Sequence, residues 1–302
     1  MAEIGTVQLK RQVLSVDSRN RVNFETTTPS EYTIELDATI KNVKMIRLAT
    51  TEIANSQYTV NSKNQFIDIE EGDYIANPAP AGLVATAILT PGTYTGPGLA
   101  DQINTQMNAA YGVPFGTMFS VSYITETQKI RIIHVPAVPG ITSRRWRLLF
   151  KTGAHGSDNL NNNMARMLGF WEGYDTAWYQ DNTMAVIPVP PPPPAVPLLS
   201  NILLSDEIVM LSGENFCYLC IRGFPAVRTT ARIGDVFAKI IWNQLPRNVT
   251  FDSFAANYIV YENPISRLDK FDITFREADG SLYQFNNIEH SFTIEFLTSS
   301  SD

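Results

Sequence analysis

The amino-acid sequence predicts a mainly β protein: a jelly-roll-like antiparallel β-sandwich carrying a small inserted α+β subdomain. Three observations lead there. Apolar and polar residues alternate with period two in many short segments. Turn residues separate about a dozen such segments, the pattern of a sandwich rather than of a βαβ fold. One stretch in the middle of the chain switches to helical spacing. A chain of 302 residues, 44% apolar and 11% aromatic, has enough to bury as one large β-fold or two smaller units.

Taken in order, EYTIELDATI puts Tyr32, Ile34, Leu36, Ala38 and Ile40 on one face of a strand. KNVKMIRLATTEI follows as a second, more apolar strand, and QFIDIE as a third, with Phe66, Ile67 and Ile69. Residues 1–85 are therefore expected to be N-terminal strands of the sandwich. The insert is expected over 86–172. There AILT reads as a strand, and Leu99, Ile103 and Met107 recur every four residues as a helix face. FSVSYITETQKIRIIHV reads as a hairpin turning near Glu126 to Gln128, and RRWRLLF as a further strand. NLNNNMARMLGFW is a short helix closed by Gly169 as its C-cap. Residues 173–199 form a proline-rich linker or strap: Pro190, Pro191, Pro192, Pro193 and Pro194 impose a stiff polyproline II rod. Such a run also suits a proline-recognising groove, although no basic residue flanks it. Residues 200–302 return to strands that complete the sandwich: EIVMLS, NFCYLCIRGF, DVFAKIIWN, NYIVYENPI, KFDITFRE, SLYQF and SFTIEF. Asp279-Gly280 marks a hairpin turn between KFDITFRE and SLYQF.

Charge narrows the function. The net charge of −7 and pI near 5.1 argue against direct nucleic-acid binding, which needs a basic face. A local exception is the run holding Lys10, Arg11, Arg19 and Arg21, which reads as a contact arm or a solvated terminus. MAEIGTVQLK has no apolar core of a secretory signal. The long uncharged stretches, 74–100 and 182–205, are broken by prolines and are not expected to span a membrane.

Motifs that would carry chemistry are missing. There is no GxxxxGK[ST], no GxGxxG, no HExxH and no GxSxG. Cys217 and Cys220 stand three apart on an expected strand, so they point to opposite faces and cannot share a metal; they read as small strand residues in a reducing compartment. His134, His155 and His290 are far apart. Glu289 and His290, adjacent on an expected strand, point apart and make no acid–base couple. The sequon at Asn248 means little without export. No catalytic, cofactor-binding or metal-binding residue is expected.

Several segments together carry a resemblance. SVDSRNR, PSEYTIEL, IKNVKMIRLATTEIANSQYTV, LTPGTYTGPGLADQIN, FSVSYITETQKIRI, MLGFW, FCYLCIRGF, FAKI and NPISRLDKFDITFREADGSLYQFNNIEHSFTIEF occur in that order, from Val13 to Phe296. The series resembles minor capsid proteins of nucleocytoplasmic large DNA viruses. The resemblance implies a non-enzymatic part of the virion, assembled in host cytoplasm. Such a protein would cement an icosahedral shell by contacting the major capsid protein and other minor capsid proteins, with self-association open. Candidate contact residues are Arg19, Arg21, Trp171, Trp178 and Tyr179, with the prolines 190–194. Two further readings stand beside it. One is a penton, the fivefold vertex protein. The other is a carbohydrate- or receptor-binding module that uses the aromatics of GFWEGYDTAWYQ.

Overall fold

The structure is a computed structural model and describes residues 8–73, 83–115, 117–136, 144–177, 179–180, 202–242, 249–252 and 258–299. Its strands in chain order are β1 (Leu9–Asp17), β2 (Glu31–Ala54), β3 (Phe66–Asp73), β4 (Leu83–Ile88), β5 (Thr117–Ile124), β6 (Lys129–Pro136), β7 (Arg144–Leu148), β8 (Tyr179–Gln180), β9 (Ile202–Leu204), β10 (Phe216–Ile221), β11 (Val236–Ile241), β12 (Val249–Asp252), β13 (Tyr258–Arg276) and β14 (Ser291–Ser299). The helices are α1 (Gly96–Phe115) and α2 (Ala165–Leu168). The chain divides into two compact units, Met1–Gln57 with Glu214–Asp302, and Tyr58–Gly213. The fold is mainly β and antiparallel, as the alternation predicts.

The first unit is a seven-stranded sheet in the order β1-β14-β2-β13-β10-β11, with β12 also on β2. The segments expected as two strands at 31–53 are one strand of 24 residues, β2. Its buried positions are Tyr32, Ile34 and Ile40, then Val43, then Ile46 and Leu48, then Thr51 and Ile53. Each change of parity marks extra residues in the ladder. Asn42 takes a left-handed φ of 55°. Against β14 the register slips opposite Val43–Met45 and again opposite Leu48–Thr50. Bulges of this kind bend a strand and turn its side chains over. A single ribbon of β2 and β13 can thereby close around one core. Phe271 of β13 reaches Phe296 of β14 at 6.1 Å, and Phe275 reaches Phe292 at 6.3 Å, although β13 and β14 are not hydrogen-bonded neighbours. Tyr283, Phe285, Phe237 and Leu219 fill the same core.

The turn at Asp279-Gly280 forms as expected, with Gly280 at φ 88° and Glu277 N donating to Ser281 O. The returning arm does not become a strand. It makes one bridge, Arg276 to Leu282, and then leaves the ladder. Tyr283 and Phe285 turn into the core instead, where burying two rings outweighs further ladder bonds.

The second unit is larger than the expected 86–172, because β3 pairs with β4 and β7 and not with the sheet of β2. It has a four-stranded sheet, β4-β3-β7-β8, and a three-stranded sheet, β5-β6-β9. The hairpin of β5 and β6 turns at 125–128, with Gln128 at φ 54°. In α1, Leu99, Ala100, Ile103 and Met107 are buried, as the four-residue spacing requires. The first turn is held by Thr95, whose carbonyl accepts from Leu99 N and whose hydroxyl accepts from Gly98 N. α2 ends at Gly169 in the left-handed region, φ 78°. A Cβ there would lie 2.3 Å from Glu207 O, so only glycine fits.

EIVMLS is not a strand. Its backbone groups are used elsewhere: Glu207 N bonds Gly169 O, Val209 N bonds Gln128 O and Met210 N bonds Met167 O. The segment is strapped across the end of α2 and the hairpin turn. Pro190–Pro194 and Trp178 lie outside the described residues.

Candidate functional site

A largely buried polar cluster joins the SVDSRNR segment to the start of β14. Arg21 is almost fully buried, and its Nη1 donates to Glu289 Oε2 at 2.7 Å and to Ser18 O at 2.8 Å. Its guanidinium also stacks 4.1 Å from the Phe24 ring centroid. The Ser18 hydroxyl donates to Glu289 and accepts from His290 N at 2.9 Å. His290 is buried, with Nε2 3.0 Å from the Tyr32 hydroxyl and its ring against Phe275 and Phe285. Burial holds its pKa down at about 3, so the ring is neutral at pH 7. A serine, a carboxylate and a histidine meet here, yet the imidazole does not touch the hydroxyl. Only the histidine backbone does. Glu289, which accepts from the Ser18 hydroxyl, is already ion-paired with Arg21, and the cluster is a clasp that ties β1, β2 and β14 together. Glu289 and His290 precede β14 rather than lie in it, and they do point apart, one to the clasp and one to the core.

The other histidines are also structural in setting. His155 Nδ1 lies 2.9 Å from Asp68, which is fully buried and also accepts from His155 N and Thr86 Oγ1; the ring stacks on Phe66 at 3.9 Å. His134 is buried beside Glu71, 3.7 Å away, and makes no hydrogen bond through its ring nitrogens. Cys217 and Cys220 are free thiols, both buried because a bulge between Leu219 and Cys220 turns the second one inward. Burial pushes the Cys220 thiol up to about 11 and Cys217 well above its usual value, which leaves both unreactive near neutrality. Among the described residues no group of three or more His, Cys, Asp and Glu is placed to hold a metal. No helix among them is long and apolar enough to cross a membrane.

The expected contact residues separate. Arg19 is exposed and paired with Asp17, whose carboxyl it holds below the usual range. Arg21 is committed to the clasp. The basic run is not a loose arm: Lys10 and Arg11 lie in β1, and Arg11 with Arg47 brackets Glu295 at 2.8 and 2.6 Å. Trp171 is 66% exposed and Tyr174 51% exposed, whereas Tyr179 packs on the buried Trp146 at 5.4 Å. Of the described aromatics expected to cluster in GFWEGYDTAWYQ, Trp171 and Tyr174 face outward and Tyr179 packs inward.

Two grooves cut the first unit. One, of about 640 Å³, crosses β10, β13 and the start of β2 and is rimmed by charges of both signs, among them Arg222, Lys270, Asp235 and Asp272. The other, of about 670 Å³, runs between β1 and residues 34–40 of β2, over Phe296. Both of its walls are strand edges. Among the described residues, β1 is hydrogen-bonded only to β14, and this part of β2 is paired only towards β13. In the second unit, by contrast, the free edge of β5 is covered. Asn108 donates to Phe119 O at 2.9 Å and accepts from Phe119 N at 2.7 Å, and Asn104 accepts from Val121 N at 3.1 Å. Sequence reading missed both the groove and this clamp. The one available signal for the clamp was two asparagines at i and i+4 beside the apolar face of α1.

Fold and surface together define a jelly-roll-like β protein with an inserted α+β unit and extended strand edges. A family of unknown function (DUF5901) matches residues 9–136, a stretch that runs from β1 through β6. No curated protein matches the chain. Among solved structures the chain is similar to the selenomethionine-labelled penton protein of mavirus, at 10% identity and a TM-score of 0.50, over 97% of this chain and 100% of that one. The likeness extends over the inserted unit as well as the jelly roll.

Proposed function

We propose that this chain is a structural protein of a virus capsid and works as a building block rather than as an enzyme. The observation that carries the reading is the fold itself: the likeness to a penton protein spans both chains almost end to end, insert included. The clasp agrees, since its serine, carboxylate and arginine are bonded to one another and its histidine ring is turned away from the hydroxyl. The resemblance of SVDSRNR and the C-terminal segment to minor capsid proteins supports the same class from sequence. Its partners are then the major capsid protein and other capsid subunits, and its place is the virion.

Within that class the full-length likeness favours the fivefold vertex. The sequence resemblance favours a minor protein cementing the facets. Copy number separates them. Quantitative mass spectrometry of purified particles, scaled to the major capsid protein, should give about sixty copies for a vertex protein of an icosahedron, five at each of twelve vertices. A severalfold higher number places the chain on the facets. Absence from particles overturns the capsid reading.

A further inference from the structure

We propose that the groove between β1 and residues 34–40 of β2 is a docking slot for an extended, basic tail segment of another shell protein. This rests on the capsid reading for the source of the tail, but not for the chemistry of the slot. The two walls are the reason for an extended occupant. Each is a strand with one side unpaired among the described residues, so each offers a row of backbone donors and acceptors that a strand can complete. About six residues of β1, from Gln12 to Asp17, line the slot, which corresponds to roughly 20 Å of extended chain. Its volume of about 670 Å³ is that of a specific peptide or ligand site.

The floor explains what the segment presents inward. Leu14, Leu36, Ile34 and Phe296 line it, and Leu14 and Leu36 are only partly buried by the core beneath them. An occupant with apolar residues at every second position would cover them. The walls explain what it presents outward. Asp17, Glu35 and Asp37 line the slot, and among the described residues no lysine or arginine does. Asp17 is matched by Arg19, and Glu35 faces Lys270 across the ladder; Asp37 stands exposed. A lysine or arginine at alternate positions suits this surface.

The slot also selects against a second copy docking by its sheet. A strand between two edges must use both of its own sides. The end strands of the sheet, β1 and β11, each spend one side at home. The occupant is therefore a free arm or tail.

A fluorescent, acetylated six-residue peptide alternating valine and lysine is the probe, read by anisotropy against the full chain. Two controls accompany it: a valine–glutamate peptide, and the lysine peptide with N-methylated backbone amides. The expected result is binding of the lysine peptide at least tenfold tighter than either control. D37K should weaken the lysine peptide severalfold and strengthen the glutamate one, and a circular dichroism spectrum will show whether this exposed change leaves the fold intact. Equal binding of the N-methylated peptide, or no binding at all, overturns the proposal. Binding that emerges only after residues 1–7 are removed also overturns it, because the chain's own terminus is then the occupant. The peptide result is independent of copy number in particles, so failure here and failure of the capsid reading are told apart.

Discussion

Acid should loosen this protein through one histidine. His290 is enclosed by Tyr32, Phe275 and Phe285, and burial holds its pKa at about 3 against 6.5 for a free histidine. The folded state keeps it neutral, while the unfolded chain takes up a proton below pH 6.5. The contribution is fully present above pH 6.5 and drains as the pH falls, until the folded form protonates near pH 3. The slope is about 1.4 kcal/mol per pH unit, so the loss by pH 3.5 is on the order of 4 kcal/mol. That is a large share of the stability of an ordinary domain. The assay is urea unfolding followed by circular dichroism from pH 7.5 to 3.5, on the wild type and on H290F. The variant starts lower, because the Tyr32 hydroxyl loses its partner, at a cost of about 1–3 kcal/mol. Its pH dependence should nonetheless be flatter, and the difference between the two curves isolates His290 from the carboxylates, which titrate in both. Parallel curves would refute the argument, since they would mean that His290 is solvated or re-paired on protonation.

Three other perturbations follow from the same geometry. R21A should destabilise the first unit by about 3 kcal/mol in urea unfolding, because it strands Glu289 in the clasp. Replacing Asn104 and Asn108 together by alanine should cost about 2 kcal/mol and raise aggregation in light scattering, because it uncovers the edge of β5. W171A should leave thermal unfolding within about 0.5 kcal/mol of wild type, because the indole is mostly exposed; any loss in particle incorporation would then report a contact made outside the chain.

Much of the local structure is legible in one dimension because it depends on neighbours in sequence. The face of α1, the turn of the β5–β6 hairpin, the C-cap at Gly169 and the turn at Asp279-Gly280 all follow from spacing and from the φ values that particular residues tolerate. The mainly β class follows from alternation summed over the chain. EIVMLS shows where this stops. Its composition suits a strand, but a strand needs a partner edge, and here the backbone finds Gly169 and Gln128 first.

The sequence by itself determined that the protein is a β structure with a helical interruption, acidic and without a catalytic motif. Tertiary structure decided three things it could not. It decided that 31–54 is one bent strand, because the bulges at Asn42 and beyond are matched against β13 and β14, which lie more than 200 residues away. It decided that β3 belongs to the insert, because β3 alternates as a strand of either sheet would and only pairing chooses between them. And it turned Arg21, a residue that reads as a free cation, into the centre of a buried clasp, because Glu289 reaches it only when β14 is laid beside β1. Period and propensity are carried by adjacent residues, whereas strand partners, edges and grooves are properties of segments that meet only in the folded chain.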